Sequence, residues 1–263
     1  MRRNVNVGLG VALVVLSIAS GAWAQGRIDE FKLLRFDRAA FRAAPVAMLP
    51  ADNQSGVGVV YGDRYGLVRV VRVTDQGVRE IWRSRILEGG EVAQVLVADL
   101  DGNGGTDIVV RTTGGNIFVF DDNFTARWES VNEGLRNVSA MALANVDEDE
   151  AYEIILFADQ QILYVDGSAF NREYQSTQTY RGGVREMLVG NVDNDIEYEI
   201  VLNTGVVIDA INGEPEWETE VFGNSIELVD IDGDGLQEVL GYNSATEFMR
   251  IFDVDTQEEK PLQ

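Results

Sequence analysis

The sequence predicts an all-β fold: a five-bladed β-propeller with four-stranded blades, in which an N-terminal strand closes the last blade. Two spacings and one strand pattern lead there. Acidic loops begin at Asp99, Asn145, Asn191 and Asp230, with steps of 46, 46 and 39 residues. Aromatic residues recur at Phe36, Trp82, Trp128, Tyr174 and Trp217, with steps of 46, 46, 46 and 43. Self-similarity at this period marks propeller blades or solenoid units. Between the turns lie short Val/Ile-rich runs, about four to each period, which is the pattern of a blade.

Each unit reads alike. An apolar run precedes the acidic loop (Val95–Val97, Met141–Leu143, Met187–Val189, Ile226–Leu228), and a β-branched run follows it (Ile108–Val110, Ile154–Leu156, Ile200–Leu202, Val239–Leu240). A third strand comes after a polar turn (Ile117–Phe120, Ile162–Val165, Val206–Ile208, Phe248–Phe252), and a fourth carries the aromatic. No amphipathic helix is evident. The acidic tail after Asp255 offers no aromatic fourth strand, whereas Ile28–Asp37 places Phe36 in register with the other aromatics. Residues 28–37 are therefore expected to pair beside Phe248–Phe252, removing an exposed sheet edge. The blades are placed at about 40–88, 89–134, 135–181, 182–222 and 223–263 plus 28–37.

The loops carry the chemistry. Asp230-x-Asp232-Gly-Asp234-Gly-x-x-Glu238 and Asp99-x-Asp101-Gly-Asn103-Gly-x-x-Asp107 set oxygen side chains at positions 1, 3, 5 and 9. Alternating oxygen ligands are what a hard cation such as Ca²⁺ takes, and glycines at positions 4 and 6 allow a tight turn. Asn145-x-Asp147-x-Asp149-x-x-x-Glu153 and Asn191-x-Asp193-x-Asp195-x-x-x-Glu199 keep the spacing without those glycines. Ca²⁺ is thus the expected cofactor, at two to four sites; the competing reading is a set of metal-free Asx turns. In the first unit Ala51–Gly56 lacks the alternating carboxylates. Trp82, Trp128 and Trp217, fixed at one strand position, are expected to pack between blades and not to serve as sugar platforms.

Composition narrows the function. Residues 1–24 read as a signal peptide: Arg2 and Arg3, an apolar stretch through Val11–Ile18, and Ala22-Trp23-Ala24 before Gln25. The mature domain is then 25–263, exported to the periplasm or the medium, with no membrane insertion after cleavage. The formal net charge of −23 becomes −25 without Arg2 and Arg3. That argues against nucleic acid and anionic membranes as partners and calls for cations at the loops. There is no histidine and no cysteine. Disulfides, thiolate or imidazole metal sites and Ser-His-Asp or Cys-His catalysis are therefore excluded.

At these loops the chain resembles the FG-GAP/VCBS repeat family of calcium-loop propellers, over about residues 91–255. The motif D-x-D-G-[DN]-G-x-x-[DE] is matched fully at Asp99–Asp107 and Asp230–Glu238 and partly at Asn145–Glu153 and Asn191–Glu199. The resemblance implies metal ligation by these side chains, with Gly105, Ala151, Glu197 and Leu236 supplying main-chain carbonyls at position 7. It also implies docking of a protein or glycan partner on the face opposite the calcium loops. Arg136, Tyr180, Arg181 and Arg185 stand out there as candidate partner-binding residues, Arg and Tyr being enriched at binding hot spots. The expectation is a monomeric interaction module and not an enzyme. The alternatives are a sugar- or small-ligand-binding propeller and a carbohydrate-active enzyme using Glu186 and Glu227 as a carboxylate pair.

Overall fold

The computed structural model describes residues 45–50, 56–147 and 149–261, all within the compact unit 34–263. They form five four-stranded antiparallel sheets, each an up-and-down meander in chain order. The first comprises β1 (Val46–Met48), β2 (Val57–Gly62), β3 (Val68–Thr74) and β4 (Gly77–Arg83). The second holds β5 (Val92–Ala98), β6 (Asp107–Thr112), β7 (Ile117–Phe120) and β8 (Ala126–Glu129). The third holds β9 (Val138–Ala144), β10 (Glu153–Ala158), β11 (Gln161–Asp166) and β12 (Arg172–Gln175). The fourth holds β13 (Met187–Gly190), β14 (Glu199–Leu202), β15 (Val206–Asp209) and β16 (Pro215–Glu218). The fifth holds β17 (Ser225–Val229), β18 (Glu238–Asn243), β19 (Phe248–Asp253) and β20 (Glu258–Lys260). This is a five-bladed β-propeller. Among the described residues the sole helical element is a 3₁₀ turn, Ser130–Glu133.

The middle strands read as unbroken apolar runs because both their faces are covered. Along β10, Ile154 and Leu156 enter a core shared with the second blade, while Ile155 and Phe157 enter the core shared with the fourth. The period-2 alternation of a strand thus feeds two cores at once. Four such clusters join consecutive blades. Among the described residues no fifth cluster joins the last sheet to the first.

The repeating aromatics do pack between blades. Trp82 stacks on Phe124 of the next blade at 5.2 Å and 15°, and Trp128 stacks on Phe170 at 5.7 Å and 10°. Trp217 meets Phe252 edge-on at 6.3 Å. Two residues after three of the aromatics, Ser84, Ser130 and Ser176 each accept a hydrogen bond from the first residue, or its successor, of the third strand in the same blade (Val68, Ile117 and Ile162 N–H). Phe222, 1% exposed, meets Phe252 edge-to-face at 4.8 Å and 61° between the fourth and fifth blades. Phe222→Ala is expected to cost about 3–5 kcal/mol, read by denaturant unfolding at saturating calcium. A loss of under about 1 kcal/mol would mean that this seam contributes little.

The fifth blade corrects one expectation. β19 is flanked by β18 on one side and β20 on the other, with Ile251 opposite Lys260 and Phe252 opposite Glu259. The place foreseen for residues 28–37 beside Phe248–Phe252 is therefore filled by the acidic tail itself. Pairing at the edge of a sheet needs backbone groups more than an aromatic, and Arg250 supplies the cross-strand ion pair, its Nη2 lying 2.6 Å from Glu259. Residues 1–24, 28–37 with Phe36, and 51–55 lie outside the described residues. Among those described, no helix is long and apolar enough to cross a membrane.

A second regularity concerns the fourth strand. In four blades its pairing with the third strand slips by one residue just before the aromatic. The extra residues are Ile81, Arg127, Glu173 and Glu216. Such bulges re-aim a side chain.

Candidate metal centres

The acidic loops connect the first strand to the second in blades two to five, and position 9 is always the first residue of that second strand: Asp107, Glu153, Glu199 and Glu238. In a meander this end also carries the turns between third and fourth strands. All four loops therefore share one face with those turns.

Each loop is shaped by its own oxygens. Asp99 Oδ2 accepts from Gly104 N–H at 2.8 Å, and Asp230 takes Gly233 N–H at 2.7 Å and Gly235 N–H at 3.2 Å. Gly102, Gly104, Gly233 and Gly235 have φ of 66°, 84°, 83° and 99°, where side chains are strained. The Asn-first loops manage otherwise. Glu150, Asn194 and Ile196 stand at the corresponding positions without positive φ. Asp147 accepts from Asp149 N–H at 2.9 Å, and Asp195 from Glu197 N–H at 2.9 Å. The motif glycines are one solution to the turn and not a requirement for it.

The position-9 carboxylates are built identically on one side and differ on the other. One oxygen always accepts from the N–H of position 2: Leu100 to Asp107 at 3.1 Å, Val146 to Glu153 at 2.7 Å, Val192 to Glu199 at 2.8 Å and Ile231 to Glu238 at 2.8 Å. The second oxygen of Asp107 faces Arg127 Nη1 at 3.0 Å, and that of Glu238 faces Lys260 Nζ at 2.7 Å. Arg127 also reaches Asp101 at 3.0 Å, while Lys260 reaches Asp232 at 2.8 Å and Asp253 at 3.0 Å. Glu153 Oε1 and Glu199 Oε1 are buried with no partner, as are Asp99 Oδ1 and Asn191 Oδ1. A buried carboxylate oxygen without a hydrogen-bond donor is costly. A cation at the loop would supply what these oxygens lack, so the donor set fits Ca²⁺.

Four groups of carboxylates each bring one oxygen per residue within 4.8 Å of the others: Asp99/Asp101/Asp107, Asp147/Glu153/Glu173, Asp193/Glu199/Glu216 and Asp230/Asp232/Asp234. Glu173 and Glu216 escaped the sequence reading, as did Arg127 and Lys260. Their signal was there: Arg127, Glu173 and Glu216 each immediately precede the repeating aromatic. Burial, with repulsion from Asp147 and Asp149, pushes the Glu153 carboxyl up to about 7. Burial, with repulsion from Asp193 and Asp195, pushes Glu199 up to about 8, and Glu216 is raised to about 7 by burial and the same neighbours. Lys260, by contrast, is held strongly protonated by its hydrogen bonds to Asp232, Glu238 and Asp253.

Away from the loops the candidates fare unevenly. Arg136, Arg181 and Arg185 are exposed on connections between fourth and first strands, which a meander places on the opposite face. Tyr180 is a correction: it is 6% exposed, and its hydroxyl donates to Gly213 O at 2.7 Å, so its ring fills the core between the third and fourth blades. Arg181 Nη1 donates to the carbonyls of Thr204 and Thr219, both at 3.3 Å. Glu186 accepts from Ile226 N–H at 2.7 Å and from the Ser225 hydroxyl at 3.2 Å, which ties the fourth blade to the fifth. Burial and the Glu186 charge raise Glu227. On the loop face, a cleft of about 280 Å³ lies between the Asn145 and Asn191 loops, its walls including Asp147, Ile196, Tyr198 and Ile211. Ile196 is 91% exposed.

No protein-family model and no curated protein matches the chain. Solved structures do. The WD40 domain of Neurospora crassa Pan2 superposes with a TM-score of 0.53 at 13% identity, over 84% of this chain and 66% of that one. The V. cholerae biofilm matrix protein Bap1 gives 0.53 at 18% identity, over 81% and 38%. BamB from Moraxella catarrhalis gives 0.50 at 16%, over 79% and 61%. The likeness is one of fold. The chain spans less than two thirds of each of these three structures.

Proposed function

We propose that this chain is an exported, calcium-stabilised propeller of the FG-GAP/VCBS type that binds a protein or glycan partner at the bacterial envelope or outside the cell, and performs no chemistry. The observation that carries the reading is the row of four carboxylate loops on one face, with buried oxygens that have no partner among the described residues and that a cation would satisfy. Ca²⁺ would be held by Asp99, Asp101, Asn103 and Asp107, by Asn145, Asp147, Asp149 and Glu153, by Asn191, Asp193, Asp195 and Glu199, and by Asp230, Asp232, Asp234 and Glu238. The carbonyls of Gly105, Ala151, Glu197 and Leu236 would add to these. Bound there, the ion supplies charge neutralisation and rigidity. The absence of histidine and cysteine from the sequence and the engagement of both Glu186 oxygens agree with a binding role. The likeness to Bap1, a biofilm matrix protein, agrees with an extracellular setting.

Arg136, Arg181 and Arg185 are the proposed contacts on the face opposite the loops. The cleft beside Ile196 favours a second reading, with the partner on the loop face. Binding to a panel of envelope glycans and secreted proteins separates the two. Charge reversal of the three arginines is expected to weaken capture by about tenfold or more, while Ile196→Ser and Ile211→Ser leave it unchanged. The opposite pattern moves the partner to the cleft. Turnover of a polysaccharide, lost in Glu186→Gln, overturns the binding reading altogether.

A further inference from the structure

We infer that the fourth-strand residue facing each loop decides how that loop holds calcium. Glu173 and Glu216 are metal ligands completing the two Asn-first sites, and Arg127 and Lys260 are tethered cations that compete with the ion at the two Asp-first sites. The inference rests on the calcium reading above and ranks the sites against their match to the sequence motif.

The geometry is direct. Calcium–oxygen bonds of about 2.3–2.6 Å allow two oxygens on one ion to lie up to about 5 Å apart. Glu173 meets this limit with Asp147 and Glu153, and Glu216 meets it with Asp193 and Glu199, all within 4.8 Å. Glu153 and Glu199, 1% and 0% exposed, each aim an unpartnered oxygen into these groups. Nothing else on the described chain satisfies those two atoms. In the other two loops the same oxygen is already taken, by Arg127 or by Lys260.

Charge points the same way. The Asn145 site gathers Asp147, Asp149, Glu153 and Glu173, and the Asn191 site gathers Asp193, Asp195, Glu199 and Glu216, and among the described residues no Lys or Arg pairs with any of them. At the Asp99 loop a guanidinium pairs with two of the three carboxylates, Asp101 and Asp107, and at the Asp230 loop an ammonium pairs with two of the four, Asp232 and Glu238. Affinity of oxygen sites follows the charge of the ligand set. An ion entering an Asp-first loop must also break charge-assisted hydrogen bonds, among the strongest available. The first blade fits the scheme from the other side: at the same bulge it carries Ile81.

Calorimetric titration of the purified protein with CaCl₂ tests this. Two tight sites and further weaker binding are expected. Glu173→Gln and Glu216→Gln should each weaken one tight site by about tenfold or more. Arg127→Gln and Lys260→Gln should each tighten a weak site by a similar factor, a gain that misfolding cannot produce. The inference is overturned if those two variants gain nothing, or if the tight pair survives both glutamine substitutions and is lost instead with Asp101→Asn and Asp232→Asn. Four equal sites sink this ranking alone. No calcium binding by the parent protein sinks the calcium reading with it.

Discussion

Chelating calcium is expected to lower the melting temperature of this protein by about 10–20 °C. A ligand that binds only the folded state stabilises it by about 2.7 kcal/mol at a hundredfold excess over its Kd, so two tight sites contribute about 5 kcal/mol. In a domain of this size each kcal/mol moves the melting temperature by roughly 2–4 °C. Glu199→Gln separates ligation from simple packing. The amide cannot hold the ion, so the calcium response shrinks. It also buries no charge, so the chelated protein melts higher than the parent. A position that mattered for packing alone would lower both melting curves. If chelated and calcium-loaded protein melt together, the ion has no structural role.

In chelator, stability is expected to fall as pH rises from about 5 to about 8. Glu153 and Glu199 are pushed up to about 7 and about 8 from an ordinary 4.5, by burial first and by neighbouring aspartates second. Between the unfolded and folded values the native state binds more protons than the unfolded chain, so stability declines with pH through that window. Both residues are fully buried, and the combined effect is on the order of a few kcal/mol. Asp232 and Glu259, held low by Lys260 and Arg250, lose their contribution only in more acid solution. Calcium competes with the proton for the same oxygens and should flatten or reverse the slope. Urea midpoints at pH 5.5 and 8, with calcium and with chelator, check this. A chelated midpoint that rises with pH contradicts the burial of these two carboxyls.

The repeat made most of the fold legible. The spacing of Trp82, Trp128, Tyr174 and Trp217 located the fourth strands, and the apolar runs located the second and third. Both signals are imposed by cores on two sides of every sheet. β20 was invisible because Glu258–Lys260 is an edge strand, paired through its backbone, and its side chains owe nothing to a core. Tyr180 misled for a related reason: tyrosine beside arginine suggested a binding hot spot, but the Gly213 carbonyl satisfies its hydroxyl within the seam. The metal loops could be read because ligand order lies along a single turn. Arg127, Glu173, Glu216 and Lys260 were harder to connect with the loops, since each reaches its loop from the other edge of the sheet, about 20 residues away in the chain, and only their place before the aromatic marked the first three.

The fourth-strand bulge has a consequence for how such a molecule changes. A bulged residue adds nothing to the hydrogen-bond ladder, and at 81, 127, 173 and 216 it stands outside the cores between blades. A single substitution there can therefore alter the charge beside one loop, by as much as two units from arginine to glutamate, while the buried strands on either side keep their packing. The Asp99, Asn145 and Asn191 loops thus each face an adjustable charge of their own, and on the calcium reading their affinities can drift apart in a protein whose architecture stays the same.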